Sequence, residues 1–147
     1  MQARHPDFAQ RVQESFALQG AMRTLGASLA AVEPGRVVIA MRHRPELTQQ
    51  HGFVHAGMVA AALDSACGFA AFTLMPLDAG VLTIEFKINL LAPARGPRFR
   101  FEGRVAKPGR TISVVDGRAL QLGEAGEKLI ATMTATVMTV LGRDIRH

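Results

Sequence analysis

Residues 56–75 restrict this chain more than any other stretch, because 20 consecutive positions are almost wholly apolar and carry one carboxylate, Asp64. Ala, Leu, Met and Phe dominate, and no two-residue alternation is present. The segment therefore reads as a helix that is apolar nearly all round and belongs inside a protein. Pro76 ends it, because proline cannot continue a helix. An aspartate within such a helix loses hydration, a large cost unless the carboxylate is paired or hydrogen-bonded. Asp64 is therefore either a hydrogen-bonded structural group or a chemical one. Just upstream, the polar turn from Gln49 through Gly52 to His55-Ala56-Gly57 leads directly into the helix.

With 147 residues, 48% of them hydrophobic, the chain is expected to form one domain over 1–147, with an N-terminal helix within 1–22. Arg4, Asp7, Arg11 and Glu14 leave no apolar core for a signal peptide, so a cytoplasmic location is expected. Segment 56–75 is long enough for a membrane span, but its Ala and Gly content and central Asp64 favour a core helix. Cys67 is the single cysteine, which excludes an intramolecular disulfide and a cysteine-based metal cluster. His51 and His55 have a two-ligand spacing, but Gly52 stands where a zincin has glutamate, so no metal site is expected. The formal charge of +5 favours an anionic partner. The 17 Lys and Arg are scattered, however, and Trp and Tyr are absent, which argues against nucleic acid and suits a small polyphosphate ligand.

Phe8, Val12 and Phe16 recur every four residues and predict a short amphipathic helix over Asp7–Leu18. Gly26–Val32 and Arg36–Met41 flank Glu33-Pro34-Gly35 and read as a hairpin. In Val81–Leu91 the residues Leu82, Ile84, Phe86, Ile88 and Leu90 alternate with Thr83, Glu85, Lys87 and Asn89, which predicts a strand with one face on the helix. Further strands are expected at Arg98–Ala106, Thr111–Leu120 and Lys128–Val140, with turns at Lys107-Pro108-Gly109 and 123–126. The fold class is α+β, an antiparallel sheet curled around one long central helix.

Gln49-x-x-Gly52-x-x-His55-Ala56-Gly57, with Asp64 nine residues after the histidine, resembles the signature of hotdog-fold acyl-CoA thioesterases of the phenylacetic-acid-degradation, or PaaI-like, type. The likeness extends through strand 81–91 and the Lys107–Arg110 turn. Ala56 stands in place of the first glycine of the family's His-Gly-Gly, and Gln49 where many relatives have Asn; both keep the polar groups required. The resemblance implies hydrolysis of an acyl-CoA thioester without a cofactor, coenzyme A being part of the substrate. It also implies a homodimer as the minimal unit, a tetramer as the larger assembly, and residues from two subunits in each site.

The chemistry of the residues agrees. Thioester hydrolysis builds negative charge on the carbonyl oxygen, and N–H groups in the first turn of a helix lack intrahelical partners. Ala56 and Gly57 are the candidate oxyanion donors. Asp64 is the candidate general base or nucleophile, and both routes stay open. Eight residues of helix separate Ala56 from Asp64, roughly 12 Å of rise, too far for both to touch one carbonyl. A symmetric dimer resolves this, with Gln49, His55, Ala56 and Gly57 of one subunit facing Asp64 and Thr83 of the other. In that arrangement Gln49 orients water or the carboxylate, and His55 positions the thioester or braces the loop. Gly52 and Thr83 border the substrate, and Lys107, Gly109 and Arg110 suit the phosphates of coenzyme A. The rival readings are a non-catalytic acyl-CoA-binding module on the same scaffold and, behind it, a hydratase, whose His-Phe-Pro type element is missing.

Overall fold

The computed structural model describes residues 1–142. Two short helices, α1 (Phe8–Leu18) and α2 (Gly20–Leu25), precede a hairpin of β1 (Ser28–Glu33) and β2 (Arg36–Arg42). A loop holding a single 3-10 turn, Pro45–Leu47, leads into the long helix α3 (Ala56–Phe72). Four strands follow: β3 (Gly80–Leu90), β4 (Arg98–Lys107), β5 (Ile112–Gly123) and β6 (Gly126–Val140). All pair antiparallel in one six-stranded sheet of order β1-β2-β4-β5-β6-β3. The sheet wraps α3, whose residues from Ala66 through Phe72 are all buried. No described helix is long and apolar enough to cross a membrane.

The close fit of helix to sheet has a local cause. Phe99, Phe101 and Val105 face the helix from β4, but Gly103 lies directly beneath it, where a Cβ would collide with the Ala66 carbonyl. On the neighbouring strand a Cβ at Gly117 would sit 3.0 Å from the Cys67 sulfur. These two glycines let α3 settle onto the middle of the sheet. At the helix's far end Arg11 of α1 lies over the Phe72 ring, 3.9 Å from its centroid, and donates to the Met75 and Ala79 carbonyls. The N-terminal helices are thereby fastened to the core.

The helix expected over Asp7–Leu18 is α1, and Gln19, with an extended backbone, separates it from a second short helix, α2, that was not anticipated. One expectation needs correction, because the alternation in β3 is broken. Thr83 pairs with Val137 and Glu85 with Thr136, so Ile84 is an extra, bulged residue. Strand partners place Thr83, Phe86, Ile88 and Leu90 on the helix side, while Leu82 joins Glu85, Lys87 and Asn89 outside. Leu82 and Ile84 therefore do not share a face with Phe86, Ile88 and Leu90.

β3 is also an edge strand, with no neighbour on its outer side among the described residues. Leu82, Ile84, Phe86 and Leu90 along it are between 41% and 54% exposed. This edge of 11 residues thus presents an apolar margin to solvent.

Candidate active site

The turn before α3 is held by its own polar groups. Gln49 donates its backbone N–H to the Phe53 carbonyl at 2.8 Å, and its side-chain oxygen accepts from the His51 N–H. Gly52, at φ +82, closes the turn by donating to the Gln49 carbonyl, in a conformation that favours glycine. His43 contacts the Gly52 carbonyl at 2.9 Å through Nε2. Gly52 thus shapes the loop.

His55 is the N-cap of α3. Its Nδ1 accepts the Gly57 N–H at 2.8 Å, and its carbonyl accepts from Met58 and Val59. The acceptor role of Nδ1 assigns the ring proton to Nε2. The Ala56 N–H has no partner among the described residues, whereas that of Gly57 is engaged by the histidine ring. The helix therefore opens with one free amide, and a second becomes free when the His55 ring swings away. Gln49, His55 and Ala56 border a mainly apolar pocket of about 510 Å³, closed by Phe53, Val59 and the chain from Leu90 to Ala94. Arg95 lies over the Phe53 ring at 4.7 Å.

Asp64 borders a different pocket, two turns along the helix. Thr83 donates its hydroxyl to Asp64 Oδ1 at 2.8 Å. The bulge at Ile84 makes this bond possible, because it lets Thr83 point at α3 while the rest of β3 keeps its apolar residues on the same side. Burial pushes the Asp64 carboxyl above the usual carboxylate range, and the Thr83 hydrogen bond opposes that shift. Asp64 and Thr83 share a pocket of about 240 Å³ with Gln19, Ser65, Gly68, Phe69, Val81 and Leu82. Gln19 and Gly68 had no role in the sequence reading. Gly68 stands one turn after Asp64, a spacing that could have flagged it; nothing in the sequence ties Gln19 to this place.

The third group lies at the opposite end of α3 from the Gln49 loop. Gly109 and Arg110 border a pocket of about 370 Å³ with Leu74, Met75, Pro76 and Arg4, and Lys107 ends β4 beside it. Gly109 donates to the Ser113 hydroxyl at 3.1 Å, and a Cβ there would run into the Ile112 carbonyl. Lys107 and Arg110 are exposed and make no ion pair among the described residues. Within one chain, then, the predicted residues fall into three places: the Gln49–Gly57 loop, the Asp64–Thr83 pair and the Lys107–Arg110 turn.

The Asp64 environment has a sign that can be tested. With its folded-state value raised, the native protein holds this proton to higher pH than the unfolded chain does. Stability from this group is therefore present at low pH and declines as pH rises through the window between the two values. A base or nucleophile must be ionised, so turnover should climb with pH through the folded-state value. Thr83→Val removes the bond that favours the carboxylate and should move the acid limb of the kcat profile to higher pH. An unmoved limb would leave Thr83 as an ordinary strand residue.

The thioesterase superfamily profile matches residues 51–126. A solved thioesterase family protein from Silicibacter pomeroyi is 53% identical and superposes with a TM-score of 0.90, covering 92% of this chain and 99% of that one. The PaaI protein of E. coli, from the phenylacetic acid degradation operon, superposes with a TM-score of 0.82 at 16% identity, covering 92% and 95%. A curated relative from Saccharolobus solfataricus, named provisionally as an esterase, is 35% identical over 92 residues, 63% of this chain. The match spans 65% of that relative's length. With a curled antiparallel sheet around one helix and this profile match, the chain belongs to the thioesterase superfamily and has the hotdog fold.

Proposed function

We propose that this protein hydrolyses acyl-CoA thioesters as a two-fold dimer, each site joining the Gln49–Gly57 loop of one copy to Asp64 of the other. The observation that carries the reading is the separation of the amide-lined pocket from the carboxylate pocket within one chain, together with the exposed edge of β3. An antiparallel pairing of two β3 strands about Phe86 sets Glu85 of each opposite Lys87 of the other, a favourable cross-strand pair. The same pairing carries Leu82 and Thr83 toward Leu90 of the second copy. Leu90 borders the amide pocket, and Leu82 and Thr83 border the carboxylate pocket, so the two cavities become neighbours.

In that site the thioester carbonyl lies against the Ala56 N–H at the positive end of the helix. The Gly57 N–H joins once the His55 ring turns, and His55 Nε2–H then offers another donor. Asp64, from the opposite side, either deprotonates a water that attacks the carbonyl carbon, the proton passing to the departing coenzyme A thiolate, or attacks it directly to form a mixed anhydride. Water then hydrolyses the anhydride, which frees the acid, regenerates the carboxylate and supplies the thiolate's proton. Thr83 fixes the carboxylate, and the Gln49 amide orients the incoming water. Lys107 and Arg110 suit the nucleotide phosphates, and the reaction needs no cofactor and takes place in the cytoplasm. A panel of acyl-CoA esters assayed for released thiol tests this directly. Turnover of at least one ester is expected; tight binding throughout with no thiol release would favour a non-catalytic acyl-CoA-binding module instead.

A further inference from the structure

The pocket beside Asp64 contains a polar element that the hydrolytic step does not use. Gln19 is pinned by its backbone, donating to the Phe16 carbonyl at 3.1 Å and accepting from the Arg23 N–H at 3.3 Å. Its side chain reaches across to α3, where Oε1 accepts the Ser65 hydroxyl at 3.1 Å. The Gln19 Nε2 group, with two N–H donors, has no partner among the described residues, and Gln19 lines the pocket. On the floor, a Cβ added at Gly68 would meet nothing within 4 Å, so the space one turn beyond Asp64 is open. Phe69, Val81 and Leu82 make the remaining walls apolar.

We propose that Gln19, held by Ser65, is a specificity-determining residue that recognises a second oxygen on the acyl group. The proposal rests on the thioesterase reading and names its substrate class: acyl thioesters with a hydroxyl or carbonyl oxygen a few bonds beyond the reacting carbonyl. An acyl chain that passes Asp64 into this pocket meets the bare Gly68 and Gln19, which line it together. A plain hydrocarbon there strips water from two N–H donors without replacing it, whereas an oxygenated chain gives them an acceptor. At about 240 Å³ the pocket exceeds the ~150 Å³ cavity that holds a benzene ring, so there is room for a chain of several atoms. The N-terminal helices, which Arg11 fastens to the core, become one wall of the substrate site.

The test compares hexanoyl-CoA, 3-hydroxyhexanoyl-CoA and 5-hydroxyhexanoyl-CoA in wild-type protein and in Gln19→Leu. Wild type should favour at least one hydroxylated ester by about tenfold in kcat/KM, and Gln19→Leu should erase that preference while retaining hexanoyl-CoA turnover. Gly68→Ala adds a Cβ that meets nothing within 4 Å, and by narrowing the floor should depress all three six-carbon esters relative to acetyl-CoA. Equal treatment of the three esters by wild type, or an equal loss on all three in a folded Gln19→Leu, would overturn the proposal while leaving the thioesterase reading in place. Absence of any turnover by wild type would overturn both.

Discussion

Asp64→Asn should lower kcat for acyl-CoA hydrolysis by ~10²-fold or more, equivalent to about 2.7 kcal/mol of barrier, while the melting temperature at neutral pH stays level or rises. The two readouts move apart for one reason. The carboxylate is half-buried, and its environment disfavours the charged form. An amide in its place has no charge to desolvate and can still accept the Thr83 hydrogen bond through Oδ1. The group is therefore retained at a thermodynamic disadvantage, which fits a chemical role. A structural role predicts the reverse, a fall in melting temperature with little change in turnover per folded molecule. That result would remove Asp64 from the chemistry.

Ala56→Pro should also abolish most activity, by ~10²- to 10³-fold, in a protein that folds normally. The substitution deletes one group, the unpartnered N–H at the first position of α3. Proline is favoured at this position of a helix, because its missing N–H has no intrahelical acceptor there. His55 already has φ −58 and ψ 138, the extended conformation that a residue before proline adopts. Two such defective proteins should repair each other. If Asp64→Asn and Ala56→Pro chains are unfolded together and refolded at equal amounts, about half of the dimers are mixed, and each mixed dimer has one intact site. Activity should recover to roughly a quarter of the wild-type value, from near zero in either parent. No recovery, with mixed dimers demonstrated in solution, would mean that the loop and the carboxylate serve the same chain.

The central helix was legible because its information is local. A long apolar run, a turn before it and a proline after it suffice to place α3, whose start at Ala56 agrees with the expectation and whose regular part ends at Phe72, before Pro76. The four strands after it were visible for the same reason, with ends shifted by up to three residues. What the sequence concealed depends on contacts between distant segments. The bulge at Ile84 was invisible, because Leu82-Thr83-Ile84-Glu85-Phe86 alternates without a break and only pairing with β6 shows that one residue is extra. The short second helix after Gln19 carried no periodic signal of its own, and the link from Gln19 to Ser65 spans 46 positions. Among the candidate residues, Thr83 meets Asp64 in the chain, and His55 braces its own loop, one of the two roles considered for it. The engagement of the Gly57 amide by His55 is a side-chain rotamer, which no sequence pattern encodes.

The extra residue in β3 also limits how far the free margin of the sheet can recruit others. Only Glu85–Leu90 runs along that margin without interruption, and the irregular residue twists the chain just before it. A flat, uninterrupted border could keep templating further chains into a fibre, whereas a bulge that twists the strand works against such stacking. The irregularity that turns a hydroxyl toward the carboxylate thus also interrupts an oily border, a geometry that disfavours runaway stacking.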